Sequence, residues 1–334
     1  MVRTSIKDIA RRVGVSHSTV SRALRDSPSI STATRLKVQQ TAVEMGYSPS
    51  AIARGLVTRR THTVGVVVTS LTDPFHSRVV EGIEMLAQDQ DYGVLLTTSH
   101  EDHKRERAAV EMLSSKRVDG IIVAASRIGG LYLSLLKKLQ VPIVLINSHQ
   151  TGEYIYSVST DDQLGSYSAT RYLLGLGHSR IGYLGSPRGG HTDKKRLAGY
   201  RRALEEAGIA LDEQLVSMGD GRVPGGREAM AKLLALPVPP TAVFCYNDLT
   251  AIGALQAVNQ AGKKVPWDVS IVGFDGLDEA EYVIPPLTTM EQPRLQMGRI
   301  AMQMILDALA GRKSPARLVL QPNLIERASC RRLP

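Results

Sequence analysis

The sequence predicts a small all-α head joined to an α/β body of two doubly wound lobes, and three observations predict it. Apolar residues near the N-terminus recur at helical spacing, with cap signals between them. From residue 63 onward, short apolar β-rich runs alternate with helix-patterned stretches, as in parallel sheets covered on both faces. That alternation runs, ends and restarts, one series for each lobe. A chain of 334 residues is too long for one core, and 43% hydrophobic with 22% charged residues fits folded domains rather than disorder.

In the head, Ile6, Ile9, Ala10 and Val13 fall at i, i+3, i+4 and i+7, one stripe of a helix. Ser5 with Asp8 three residues on reads as a capping box, and Gly14 stops the helix. Val15 anchors the turn, and Ser16 caps a second helix whose Val20 and Leu24 face inward. His17, Ser18, Ser21, Arg22 and Arg25 are left facing outward. Two short helices across a Gly-Val-Ser turn make a helix-turn-helix, whose second helix enters the DNA major groove. Short polar residues at its N-terminal end can approach base edges, and Arg22 can grip guanine with two hydrogen bonds. Charge agrees: residues 1–62 hold eleven Lys/Arg against three Asp/Glu, +8 of the chain's +9. So concentrated an excess suits phosphate contacts. A basic disordered tail would carry the charge but not the apolar stripe.

A third helix is expected from a cap at Ser31 to Met45, closed by Gly46, with Ala33, Leu36 and Ala42 packed on the first two. The head then spans 1–48, and residues 49–62 form a hinge helix and linker. The segment Ser50–Val57 follows Pro49, is too short to be a stable helix alone, and is weakened by Gly55. A plain linker would hardly need the apolar Leu56.

The body spans 63–334 and is read as the part that binds a small-molecule effector. Its strand-like runs are Val64–Val68, Val94–Leu96, Ile121–Val123 and Ile143–Ile146, then Ile181–Leu184, Val216–Met218, Ala242–Cys245 and Ser270–Phe274. Helical stretches such as His76–Gln90 and Arg105–Ser115 separate them. In open α/β sheets, ligands bind beyond the carboxyl ends of the strands. That rule nominates Thr69, Asp73 and Phe75, then Ser99 and His100, then Asn147 in the first lobe. In the second it nominates the loop Arg188–Arg196, Asn247 and Asp275. Amides, hydroxyls, one arginine and carboxylates suit a polyhydroxylated ligand, because Arg196 and Asp275 can each bond two adjacent hydroxyls. Asp162 and Asp248 read as helix N-caps, His178 as a structural helix end, and Asp73 equally as a cap or a ligand group. Arg196 is also placed to pair with Asp275 in an empty cleft.

Enzyme readings fare poorly: GxxxxGK[ST], HExxH, CxxC and GxSxG are all missing. Gly175-Leu176-Gly177 begins like a dinucleotide fingerprint but reaches Arg180 where glycine is needed. Cys245 and Cys330 have no metal-ligand spacing, so neither a cofactor nor a metal is expected. A free transport protein would need a signal peptide, and MVRTSIKDIARRVG has no apolar core of that kind. The expected compartment is the cytoplasm.

The stretch TSIKDIARRVGVSHSTVSRAL (Thr4–Leu24) resembles the head of the lactose/galactose repressor (LacI/GalR) family, and GYSPSAIARGL (Gly46–Leu56) resembles its hinge. Resemblance continues in order through SATRYLLGLGHSRIGYLGSP, KKRLAGYRRAL, PTAVFCYNDLTAIGAL, VPWDVSIVGFDG and IPPLTTMEQP. It implies a transcription regulator, a repressor, that binds a near-palindromic operator in double-stranded DNA as a homodimer. It implies hinge helices paired in the minor groove, with Leu56 wedged between base pairs to kink the DNA. Ser5, Ser16, Ser50 and Arg54 complete the candidate DNA-contacting set. The body, 63–334, is implied to be an effector-binding and dimerisation domain, periplasmic sugar-binding-protein-like, its chain crossing three times between an N-lobe (63–161 and 293–320) and a C-lobe (162–292 and 321–330). Matched site residues are Asn147, Thr192, Arg196, Asn247, Asp275 and Gln292, around a small-molecule effector, a sugar or sugar derivative. One departure concerns Gly219-Asp220-Gly221, which lacks the aromatic ring that relatives stack on the ligand; Phe75 or Tyr246 would substitute.

Overall fold

A computed structural model describes residues 4–47, 60–124, 141–148 and 155–334, and the chain divides into two compact units, 1–61 and 62–334. The first unit contains helices α1 (Ile6–Val13), α2 (His17–Ala23) and α3 (Thr32–Glu44). Ile9, Ala10, Val13, Val20, Ala23, Val38 and Ala42 form its core, with Ile6 and Leu24 packed against it. At the start of α1 the Asp8 carboxylate accepts from Ser5 N (3.0 Å) and Ser5 Oγ (2.6 Å), which holds the Asp8 pKa below its ordinary value. Gly14 takes the left-handed φ of +79° that the tight turn requires. Ser16 Oγ accepts from Thr19 N and so caps α2.

The expected packing of α3 is corrected in part. Ala42 is buried, but Ala33 is exposed and Leu36 is 59% exposed. With Ser31 as the cap, the inward stripe of α3 runs through Val38, Thr41 and Ala42 instead. The hinge segment, with Ser50, Arg54 and Leu56, lies outside the described residues.

The second unit is built on two six-stranded sheets. The N-lobe sheet contains β1 (Thr63–Val68), β2 (Gly93–Thr98), β3 (Gly120–Ala124), β4 (Ile143–Ile146) and β5 (Ile155–Thr160). Between these strands run α4 (Pro74–Asp89) and α5 (His103–Ser115). The C-lobe begins with α6 (Asp162–Gly175), β6 (Ile181–Gly185), α7 (His191–Glu206), β7 (Val216–Met218) and α8 (Val223–Leu234). It continues through β8 (Ala242–Cys245), α9 (Asp248–Gln260), β9 (Ser270–Asp275), α10 (Glu279–Tyr282) and β10 (Thr288–Glu291). Then α11 (Arg294–Leu309) packs on α4, β11 (Arg317–Leu320) joins the first sheet, and β12 (Asn323–Ile325) joins the second. The sheet orders are β11-β5-β4-β3-β1-β2 and β12-β10-β9-β8-β6-β7, parallel except for β12. The chain thus passes between the two sheets near residues 161, 292 and 321.

The strands are nearly continuous apolar runs because helices cover both faces. Val64, Val66 and Val68 face α4 and α11, while Val67, Ile121 and Val123 face α5. Where helices cross, backbones nearly touch: a Cβ on Gly82 of α4 would lie 2.1 Å from Leu295 O, and one on Gly298 of α11 would lie 2.0 Å from Val79 O. In both sheets the strand order reverses at one point, between β1 and β3 and between β6 and β8. Those switch points open crevices at the carboxyl ends of the strands. No described helix is long and apolar enough to cross a membrane.

Candidate functional site

On the head, Ser5, Ser16, His17, Ser18, Arg22 and Arg25 are exposed, and Ser21 is half-buried. Several hydroxyls are locally engaged. Ser16 Oγ lies 2.8 Å from Ser18 Oγ, and Arg25 donates to Ser21 Oγ (3.0 Å) and Ser21 O (3.1 Å). These described residues belong to the start of α1, to the turn and to α2, with Arg25 just after it.

In the body, a cleft of about 850 Å³ opens between the carboxyl ends of the two sheets. Thr69, Asp73, Phe75 and Asn147 line it from the N-lobe, and Thr192, Arg196, Asn247 and Asp275 from the C-lobe, with Gln292 at a crossing. His100 is not among the lining groups. Its backbone is left-handed (φ +50°), which turns the ring back so that Nε2 meets Thr98 Oγ1 at 3.0 Å. The neighbouring Glu101 takes its place at the mouth.

Arg196 is 2% exposed and tightly held. Its Nε and Nη2 reach Asp162 Oδ1 at 2.9 and 2.8 Å, Nη1 donates to Tyr246 O, and Phe274 lies under the guanidinium at 3.7 Å. Burial opposes its charge, but Asp162 and Asp275 outweigh that and raise its pKa. Among the described residues three of its five N–H groups are engaged, and Nη1 also faces Asp275. Asp275, 3.7 Å from Nη1, accepts from Gln292 Nε2 at 2.6 Å, and burial pushes its carboxyl up to about 8.

The two aspartates read as caps are corrected here. Asp161 and Asn247 cap α6 and α9 instead, accepting from Leu164 N and Thr250 N. Asp162 and Asp248, one residue further on, turn inward. Asp162 is the counter-ion of Arg196, and Asp248 accepts from Leu277 N (2.7 Å) and from the Thr289 hydroxyl. Asp73 does cap α4, accepting from Phe75 N at 3.0 Å, while also lining the cleft. His178 is structural, its ring bonded to Thr241 Oγ1 and Arg331 O.

Several lining groups escaped the sequence reading: His76, Glu101, Ser148, Ser186 and Arg222, while Tyr246 lines the cleft as the substitute ring would. His76 shares a 2.7 Å hydrogen bond with Thr69 Oγ1, and burial lowers its pKa despite nearby Asp73. Glu101 reaches across the mouth to Arg222 (3.3 Å) and Arg188 (3.9 Å) of the other lobe. His76 Nδ1, Asn147 Oδ1 and Ser186 Oγ are buried and have no partner among the described residues. Nothing in a strand-end rule points to Glu101 or Arg222, which reach the cleft from further along their loops.

Residues 5–50 match the model of bacterial regulatory proteins of the lacI family, and residues 170–330 match a periplasmic binding protein-like domain. The HTH-type transcriptional repressor CytR of Escherichia coli K12 is 37% identical over 99% of this chain and 97% of its own length. This chain belongs to the LacI/GalR family. LacI/GalR membership makes it a DNA-binding transcription repressor under effector control, and not an enzyme. Among solved LacI/GalR structures, the Lac repressor dimer bound to operator and the anti-inducer ONPF is similar at a TM-score of 0.89, with 25% identity over 99% of this chain and all of that one. The complex of the regulator CelR with cellobiose is similar at 0.73, with 32% identity over 98% and 100%.

Proposed function

We propose that His17, Ser18, Ser21 and Arg22 read base edges in the major groove, with Ser5, Ser16 and Arg25 fixing the head on the phosphates. Ser50, Arg54 and Leu56 then act at the operator centre in the minor groove, two chains together reading a near-palindromic site. Arg22→Ala is expected to weaken operator binding by about 1–3 kcal/mol per half-site. Changing His17 and Ser18 together alters the preferred sequence, which selection from a random library reads out. An unchanged preference would reassign both residues to the backbone.

In the body we infer a sugar or sugar derivative held between the lobes by Thr69, Asp73, Phe75, Asn147, Thr192, Arg196, Asn247, Asp275 and Gln292. The observation that carries this is the convergence of Asp275, Arg196 and Asn247 on one cleft of about 850 Å³ whose wall also holds unpartnered polar atoms. Such atoms are costly to leave unpaired, and a ligand rich in hydroxyls answers them. The similar CelR structure has cellobiose bound. Phe75 and Tyr246 supply the rings that Gly219-Asp220-Gly221 lacks. Calorimetry against monosaccharides, disaccharides and nucleosides tests the class; binding of a nucleoside and no sugar would overturn it. Arg196→Ala and Asp275→Ala are expected to lose the effector response while DNA binding by the head persists.

A further inference from the structure

The groups on the cleft floor form a circuit that runs through two of the places where the chain passes between lobes. Thr160 is the last residue of β5, and Asp162 is the first of α6, one on each side of the first crossing. Gln292 lies at the second crossing, between β10 and α11. Thr160 Oγ1 donates to Gln292 Oε1 at 2.8 Å, and Gln292 Nε2 donates to Asp275 Oδ1 at 2.6 Å. Asp275 faces Arg196 Nη1 at 3.7 Å, and Arg196 grips Asp162 through two nitrogens. The backbone from 160 to 162 closes the ring. All five side chains are buried.

We propose that Thr160 and Asp162 are positioning residues that couple occupancy of the cleft to the angle between the lobes. The proposal rests on the reading of Arg196 and Asp275 as ligand groups, but its hinge side stands on geometry alone. Buried hydrogen bonds either hold or break, and a broken one leaves the Gln292 amide oxygen unpaired where it is 2% exposed. Rotation about the crossings therefore has discrete arrangements rather than a continuum. A ligand hydroxyl donating to Asp275 competes with Gln292 for the same carboxylate. It thereby alters the bond that Gln292 makes to Thr160 at the crossing. That is the differential contact a ligand needs in order to shift a two-state equilibrium.

Thr160→Val keeps the shape of the side chain and removes its hydroxyl; Thr160→Ser keeps the hydroxyl. Lobe separation is read by electron–electron resonance between nitroxides at Lys104→Cys and Glu228→Cys, both exposed and in different lobes, in a Cys330→Ser background. Full-length dimers carry one doubly labelled chain and no ligand. Thr160→Val is expected to shift the ratio of the two lobe arrangements about fivefold, the scale of one buried hydrogen bond, and Thr160→Ser to restore it. An unchanged distance distribution in a folded Thr160→Val protein overturns the proposal, because a merely structural hydroxyl would change stability alone. The sugar panel decides the effector class separately. A shifted distribution with no sugar binding would remove the sugar and leave the hinge.

Discussion

Arg196 and Asp162 place opposite charges in a nearly buried pair, so removing either strands the other. Asp162→Ala is expected to destabilise the body by about 3–5 kcal/mol, measured by urea unfolding. The raised carboxyls give a second expectation. Burial pushes Asp275 to about 8 and Asp248 to about 7, both above their unfolded values. Through these two carboxyls the folded body binds more protons than the unfolded chain between about pH 4 and pH 8, so their contribution to stability falls as pH rises through that window. Asp275→Asn should flatten the fall, and thermal unfolding across buffers measures it. The strand-end rule was informative because side chains that follow a parallel strand have few other places to point: Thr69, Asp73, Phe75, Asn147, Thr192, Arg196, Asn247 and Asp275, with Gln292 from the family, line one cavity. It failed at Ser99, which is buried with its hydroxyl turned to Val68 O, and at His100, where two successive left-handed residues redirect the chain. In Asp161-Asp162 and Asn247-Asp248 it could not tell a cap from a buried charge, since either neighbour can cap and only packing decides which one turns inward.

Helices in the body are locked in pairs by glycine. At the crossing of α4 and α11, a methyl on Gly82 or Gly298 would collide with a carbonyl that cannot move without its helix. Gly298→Ala is expected to cost about 1–3 kcal/mol, read as a lower Tm of the body, with the head's helical signal unaffected. Elements built from unbroken apolar runs were legible, because burial on both faces demands such runs. β5 and β10 were not picked out, because their interiors are Ser157, Ser159, Thr160, Thr288 and Thr289, buried residues that imitate a loop in composition. Some of those hydroxyls bond to groups distant in sequence, such as Gln292 and Asp248. On α3 the capping signal was read correctly, yet Leu36 faces outward. A helix this short has only one face to bury, and Val38 and Ala42 occupy it.

At the scale of the whole molecule, charge is unevenly divided, with +8 of +9 in residues 1–62. If six or more phosphates are contacted, log K for operator binding should fall with log salt at a slope of about −5 or steeper, measured by titration across salt concentrations. Across the cleft mouth, Glu101 pairs with two half-exposed arginines, and such pairs are worth about 0.2–1 kcal/mol. Glu101→Gln should speed release of whichever sugar binds by about two- to fivefold at low salt, a difference that disappears at high salt. Equal acceleration at both salts would show the residue acting by shape rather than charge. The three passages between the sheets bear on how such a protein can diversify. Each lobe is assembled from separate stretches of sequence, with β11 and β12 added last of all. A single recombination can therefore exchange the contiguous head, and with it the DNA site, for another. No single exchange can transplant one lobe whole. New effectors must come mainly by point substitution at the cleft, while new operators can arrive in one step.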